Sequence, residues 1–177
     1  MITATVSGKH VTLRAIGRSD TSNIVRWRND ESVLRNFVVR TLLTAEQHEN
    51  WLDTRVNTGR VAQFIVVNNE SGQDVGSVFL KAIDRVNGTA EYGVFIGEQA
   101  ARGMGLGTDA CHTLCSYAFD ELQLKKVYAR VLEGNHPSAR VFEKVGFTRE
   151  AFFREHVLRD GQFLGLIFYG LLKEDFK

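Results

Sequence analysis

The sequence predicts a mixed α/β protein built on a largely hairpin-connected sheet, and three observations carry that reading. Residues 63–67, 75–83 and 90–96 are β-rich runs separated by the turn sequences NNESGQ and DRVNGT, which suit antiparallel hairpins. Two amphipathic helical stretches precede them. A glycine-rich stretch, ARGMGLGTDA at 101–110, follows them and leads into a third helical stretch.

Taken in order, residues 10–16 alternate, with Val11, Leu13 and Ala15 on one side, and read as a strand. Ser19 or Asp20 can cap a helix through Ile24 and Trp27 to about Asn29. Thr44 and Gln47 have the spacing of a capping box that opens a second helix through Trp51, Leu52 and Val56. After the glycine stretch, Cys111, Leu114, Cys115, Ala118 and Leu122 mark one face of a helix, and 125–132 reads as a strand. Pro137 suits the first turn of a short helix carrying Ala139, Phe142 and Val145, and Gly146 suits its C-terminal cap. A last hairpin, 147–158 and 163–172, turns around Arg159-Asp160-Gly161. The expected order is β-α-α-β-β-β-loop-α-β-α-β-β, with a helical crossover after the glycine loop.

Composition narrows the function classes. At 177 residues the chain fits a single domain spanning 1–177, without repeats or low-complexity linkers. Twenty-two Lys and Arg against 21 Asp and Glu leave a formal charge of +1, which argues against a nucleic-acid surface. No run approaches the ~18 apolar residues of a membrane span, and the N-terminus lacks the pattern of a signal peptide, so a cytoplasmic location is expected. The two cysteines, Cys111 and Cys115, read as reduced core residues. His112 would point to another face of their helix, so no metal site is expected there.

The glycine loop needs an explanation, because glycine loses more backbone entropy on ordering than any other residue. A strand, a glycine-rich turn and a helix start together make an anion site, where unpaired amides and the positive end of the helix dipole face one point. A Walker loop would need lysine after its last glycine, and here Thr108 follows Gly107. A dinucleotide fingerprint would need G-x-G-x-x-G early in a parallel βαβ unit, and here G-x-G-x-G follows hairpin strands. A tight turn without a ligand is the plain alternative.

Two spaced motifs favour a fourth reading. Arg102-Gly103-Met104-Gly105-Leu106-Gly107 and, downstream, Asn135-His136-Pro137-Ser138 with Phe142 and Gly146-Phe147 resemble the signatures of the GNAT superfamily of acyl-CoA-dependent N-acyltransferases. The resemblance runs from Thr12-Leu13-Arg14 to the last strand and looks closest to the RimJ/RimL-like branch. It implies the GNAT fold, a central, mostly antiparallel sheet with splayed strands flanked by helices. It also implies acetyl-CoA as cosubstrate, with no metal.

By that resemblance the backbone amides of Arg102, Gly103, Met104, Gly105, Leu106 and Gly107 cradle the coenzyme A pyrophosphate, and Thr108 opens the helix behind them. Val94, Phe95 and Ile96 offer main-chain groups to the pantetheine arm, Asn135 contacts that arm, and Phe142 lies beside it. The strand at 125–132 splays away to admit the thioester. An unpaired strand edge suits pantetheine, which carries amides.

The chemistry asks for a base, because an alkyl ammonium group titrates near ~10. Glu91, two residues before the pantetheine strand, is the candidate, set against the plainer reading of a strand carboxylate opposite Lys or Arg. A main-chain N–H of 94–96 can polarise the thioester carbonyl. Many relatives carry a tyrosine seven residues after the motif asparagine to protonate the leaving thiolate. Here that residue is Phe142, so Ser138 or water takes the role, although Ser138 could equally serve a helix start. Tyr128 and Tyr169 read as core or edge aromatics.

The acceptor side is less specified. Arg26-Trp27-Arg28-Asn29, the stretch from Thr44 through His48 to Trp51, and Leu80-Lys81-Ala82-Ile83-Asp84 are similar to PseH-type amino-sugar nucleotide N-acetyltransferases. That similarity implies Arg28, Asn29, His48, Trp51 and Lys81 as acceptor-binding residues, with Phe37 as another aromatic face. The plainer reading puts Trp27 and Trp51 in the core and Arg28 and His48 at the surface or at a cap. The competing acceptors are a protein N-terminal amine and a polyamine, for which Asp30, Glu31, Glu46 and Glu49 could supply acidic groups. A non-catalytic acyl-CoA-binding module is the alternative outside enzymes. Acyl-chain preference and oligomeric state, a homodimer included, are left open by the sequence.

Overall fold

The structure, a computed structural model, describes residues 5–177. Its elements are β1 (Val6–Ser7), β2 (Val11–Ala15), α1 (Thr21–Asn29), the one-turn α2 (Glu31–Leu34), α3 (Ala45–Trp51), β3 (Ala62–Asn68), β4 (Asp74–Asp84), β5 (Thr89–Ile96), α4 (Leu106–Asp120), β6 (Lys126–Leu132), α5 (His136–Val145), β7 (Thr148–Arg159) and β8 (Gln162–Leu172). The described strands form one sheet in the order β1-β2-β3-β4-β5-β6-β8-β7. Among the described strands, only the pair β5 and β6 runs parallel. The mixed, mostly antiparallel sheet expected from the sequence is present, and the expected order holds with two additions, the two-residue strand β1 and the one-turn helix α2.

Helices cover the sheet on both faces, and side-chain alternation along the strands explains how. On β3, Phe64 and Ile65 are both fully buried, although successive residues point to opposite faces. Phe64 joins the larger core with Val11, Leu13, Val66 and the α4 residues Ala110, Cys111, Leu114, Cys115 and Ala118. Ile65 joins Ile24, Trp27, Val33 and Phe95, so α1 and α2 close the opposite face. Cys111 and Cys115 are free and buried.

The capping signals translate unevenly. Thr44 and Gln47 form the expected box, with Gln47 N donating to Thr44 Oγ1 at 3.2 Å and Thr44 N donating to Gln47 Oε1 at 3.0 Å. Asp20 precedes α1 but does not cap it with its side chain. Its buried carboxylate accepts from the Arg14 guanidinium at 2.7 and 3.0 Å and from Gly17 N at 2.8 Å. A partly buried guanidinium offers a charge-assisted, two-pronged contact that out-competes a helix amide. No helix among the described residues is long and apolar enough to cross a membrane.

Candidate active site

The site begins where two strands part. β5 pairs with β6 only at Thr89↔Lys126, Ala90↔Val127 and Glu91↔Tyr128, whereas its pairing with β4 continues to Gly76↔Ile96. From Tyr92 to Ile96, therefore, one edge of β5 has no neighbouring strand among the described residues. β6 instead stays with β8 as far as Leu132↔Leu166. The gap opens into a cleft of about 880 Å³, lined by β5, the glycine loop, the start of α5 and the acceptor-side helices.

At one end lies the glycine loop. Gly103 and Gly105 adopt φ of +80° and +81°, in the left-handed region where a Cβ is costly. Gly105 is the N-cap of α4, so the helix starts at Leu106, two residues before the expected Thr108, and Gly107 and Thr108 lie in its first turn. The Arg102 amide, expected in the cradle, donates instead to Gln99 O at 3.2 Å as the turn before the loop closes, whereas the amides of residues 103–107 donate to no acceptor among the described residues. A row of free amides at the start of a fifteen-residue helix is a ready anion seat. Gly103, Gly105, Leu106, Gly107 and Thr108 line the cleft; Met104 is exposed and lines a separate surface depression with Lys9 and His10.

Along the open edge, Val94, Phe95 and Ile96 all line the cleft. The Phe95 ring packs edge-on against Trp27 and Phe37 at 6.5 and 5.8 Å, which leaves its main chain for the cleft. Across the gap, Asn135 Oδ1 accepts from Ser138 N at 3.3 Å and caps α5. The helix-start role considered for Ser138 therefore belongs to its backbone, and the half-buried residue lines the cleft. Phe142 is buried beneath, edge-on to Tyr92 and stacked on Tyr169, with ring centroids 5.7 Å away in both cases. Tyr128 and Tyr169 are not among the cleft residues.

Glu91 sits at the point of splaying with only 12% of its side chain exposed. It accepts from Arg130 Nε at 3.0 Å and Nη2 at 3.2 Å, and Lys81 Nζ lies 3.3 Å away. A carboxylate has about four lone-pair sites, so three such contacts leave about one for water or an amine. Arg130 is a site residue that the sequence reading missed. The alternation of β6 puts it two residues beyond Tyr128, on the same face, but that signal becomes meaningful only once Glu91↔Tyr128 pairing is known. Lys81 precedes a bulge between Lys81 and Asp84, with Ala82 at φ +49°, and bulges of this kind re-aim side chains.

The acceptor side gathers further cations. The Arg28 guanidinium lies 3.5 Å from the centroid of the Phe37 ring, and its buried Nε has no partner among the described residues. Burial pushes its pKa down to about 10, so it stays charged at neutral pH. His48 is buried, with Nδ1 2.9 Å from Thr21 Oγ1 and Nε2 without a partner among the described residues, and burial lowers its pKa, favouring the neutral form. Trp51 is half-buried, its indole N–H donating to Gln63 Oε1 at 2.8 Å, and it lines the cleft, whereas Trp27 is a core residue. Asn29 is not among the cleft residues. Its carboxamide bonds to both the N–H and the carbonyl of Leu43, at 2.8 and 2.9 Å, and so shapes the loop before α3. Arg35, Arg140 and Lys144 line the cleft in addition.

The acids considered for a polyamine groove lie outside the cleft. Glu31 pairs with Arg40, Glu49 with Arg18, and Asp30 accepts from Ser32.

Comparison with known proteins bears on this geometry. The family described as "Acetyltransferase (GNAT) domain" matches residues 10–148, spanning the splayed strands, the glycine loop and α5. The chain belongs to the GNAT acetyltransferase family. The acyl-CoA N-acyltransferase class expected from the two signatures follows from that membership. The GNAT chain is 36% identical over 106 residues to the putative ribosomal N-acetyltransferase YdaF of Bacillus subtilis, a match covering 60% of this chain and 57% of that protein. Its fold superposes with a TM-score of 0.87 on spermidine N-acetyltransferase from Vibrio cholerae in complex with CoA and spermine, at 21% identity over 94% of this chain and 97% of the other. It superposes with a TM-score of 0.85 on Mycobacterium smegmatis RimJ in complex with CoA-disulfide, at 20% identity over 98% and 89% of the two chains. Among the described residues of the GNAT chain, no group of His, Cys, Asp and Glu is placed to hold a metal ion.

Proposed function

We propose that this protein transfers an acetyl group from acetyl-CoA directly to a primary amine on an acceptor that also carries negative charge, of the kind an amino-sugar nucleotide presents. The observation that carries the acceptor reading is the charge of the cleft: Arg28, Arg35, Lys81 and Arg130 line it on the acceptor side, and Glu91, itself engaged by two cations, is the carboxylate among them. A half-buried guanidinium whose Nε is covered and unpaired among the described residues is costly unless an anion completes it. A polyamine, which the Vibrio neighbour binds as spermine, would meet like charge here. A protein N-terminus, suggested by the ribosomal name of the Bacillus relative, is the second reading and fits if the residues next to that terminus are acidic.

The free amides of 103–107 support a pyrophosphate seat, and the open edge of 92–96 supports a pantetheine track. The amine nitrogen attacks the thioester carbon while a β5 amide takes up the charge growing on the carbonyl oxygen. Glu91, through its remaining lone pair or a water molecule, accepts the ammonium proton. As the C–S bond breaks, the Ser138 hydroxyl gives its proton to the thiolate, a role that Phe142 is chemically unable to fill, and recovers through water the second proton that the nitrogen releases on becoming an amide.

The test is release of free thiol from acetyl-CoA against a panel of amino-sugar nucleotides, polyamines, and peptides with acidic or basic N-terminal sequences. Turnover with anionic acceptors, and little with spermidine, is the expected result. Preference for spermidine overturns the acceptor reading. Failure of every amine, together with tight CoA binding, overturns the enzymatic one.

A further inference from the structure

The segment between β5 and the glycine loop grips the acceptor-side helices. Arg102, first residue of the loop motif, turns its side chain away from the anion seat. It donates from Nε to Ile96 O at 3.0 Å, from Nη2 to Gly97 O at 3.0 Å and from Nη1 to Ser32 Oγ at 2.7 Å. Ser32 Oγ in turn donates to Asp30 Oδ1, and the same carboxylate accepts Ser32 N at 3.0 Å as the N-cap of α2. Four residues earlier, Glu98 accepts from Trp27 Nε1 at 2.8 Å and from Arg26 on α1. Gly97 lies so close beneath the Trp27 ring that an added Cβ would stand 2.1 Å from it.

The guanidinium is planar with donors in a rigid fork, so two fixed carbonyls determine where the third donor points. Here the carbonyls are the last of the open β5 edge and its neighbour, and the third donor holds the single helical turn of α2 at Ser32. That turn carries Val33 and leads to Phe37, on which Arg28 stacks. We infer that Arg102 is a positioning residue that couples the two halves of the site, so that coenzyme A seated on the loop and on β5 stiffens α2 and the Phe37 region against which the acceptor binds. Coupling of this kind is reciprocal: whatever CoA does for the acceptor, the acceptor does for CoA.

The inference rests on the donor half of the proposed function, and its test needs CoA alone. Ser32→Ala removes the hydroxyl that Arg102 grips and leaves the loop, β5 and the Asp30 cap in place. Hydrogen exchange is followed at the amides of Arg35, Asn36 and Phe37, which bond to Glu31, Val33 and Leu34 carbonyls, with and without saturating CoA, and CoA affinity is measured by calorimetry. In the wild type CoA should slow that exchange by about tenfold. In Ser32→Ala the slowing should fall below about threefold, while CoA affinity stays within about threefold and exchange without CoA stays within about twofold of wild type. Arg102→Lys, which keeps the charge and loses the fork, should lose the slowing likewise.

Equal slowing by CoA in wild type and Ser32→Ala overturns the coupling and leaves the donor reading intact. No slowing in a wild type that binds CoA also overturns it. A wild type that does not bind CoA overturns the donor reading and the coupling with it. Faster exchange in the variant already without CoA, with the ratio caused by CoA preserved, assigns Ser32 a structural role and overturns the inference.

Discussion

Glu91 is the residue on which the proposed chemistry turns, and its surroundings define what a substitution reads out. Glu91→Gln keeps the shape, removes the proton acceptor and leaves Lys81 and Arg130 without their shared carboxylate. Turnover should fall by about 10²- to 10⁴-fold, the usual worth of a positioned base, while CoA affinity stays within about threefold. A variant with wild-type turnover between about pH 6 and pH 9 removes Glu91 as the base. His48 makes a prediction of a different kind. Burial depresses its pKa below the ordinary 6.5, only partly offset by Asp20 and Glu49, so between those two values the unfolded chain binds more protons than the folded one. Its contribution to stability is therefore complete above about pH 6.5 and is lost as pH falls through the depressed value. His48→Gln should flatten the acid side of the stability curve measured by urea unfolding; an unchanged slope contradicts the burial of a neutral imidazole. Residues such as Glu91 and Gly105 were legible because their signal is local, a carboxylate in a strand or glycines in a loop. Arg130 and Arg102 were not, because their meaning lies in partners on other elements: Glu91 across the splay and Ser32 on α2.

At the scale of elements, the sequence carried order and type, and lost detail where tertiary contacts override local rules. The Thr44–Gln47 box formed as read because both partners lie within one turn. Asp20 abandoned its helix for Arg14, a residue six positions back that no capping rule considers. Asn29 has the residue type of an acceptor contact, yet loop closure through Leu43 claims both ends of its carboxamide. The glycine loop started its helix early because Gly105, free to take φ of +81°, serves as the N-cap itself. Packing between α1 and β5 is where one substitution decides most at this scale. Gly97→Ala would place a Cβ 2.1 Å from Trp27 Cγ, in a site where the ring is buried and bonded to Glu98. Over-packing of this order costs about 1–3 kcal/mol. The variant should therefore lose that much in chemical denaturation, with weaker acceptor binding as α1 shifts; unchanged stability would mean that α1 sits farther from β5 than described.

Across the whole molecule, the sheet consists of two antiparallel halves, β1–β5 and β6–β8, whose direct pairing is three residue pairs long. The halves are joined otherwise through the core, in which α4 residues contact strands of the first half and α5 contributes Phe142 and Val145. A ligand lying in the splay touches both halves at once, with amides of 103–107 and the β5 edge on one side and Asn135 and Ser138 on the other. It therefore binds only the state in which the halves are correctly placed, and its binding free energy adds to folding stability. At 100 times its dissociation constant a ligand adds about 2.7 kcal/mol, and in a chain of this size each kcal/mol raises Tm by about 2–4 °C, so CoA should raise Tm by about 5–11 °C. Gly105→Val supplies the control. A β-branched residue forced to φ +81° costs about 1–2 kcal/mol and projects a side chain into the open space beside the loop, where the ligand would lie, so Tm should drop modestly and the CoA shift should vanish at the same concentration. Scanning calorimetry of the two proteins with and without CoA reads both effects. A shift of equal size in Gly105→Val would show that the glycine loop does not seat the ligand, and the splayed edge of β5 would then have to supply the affinity alone.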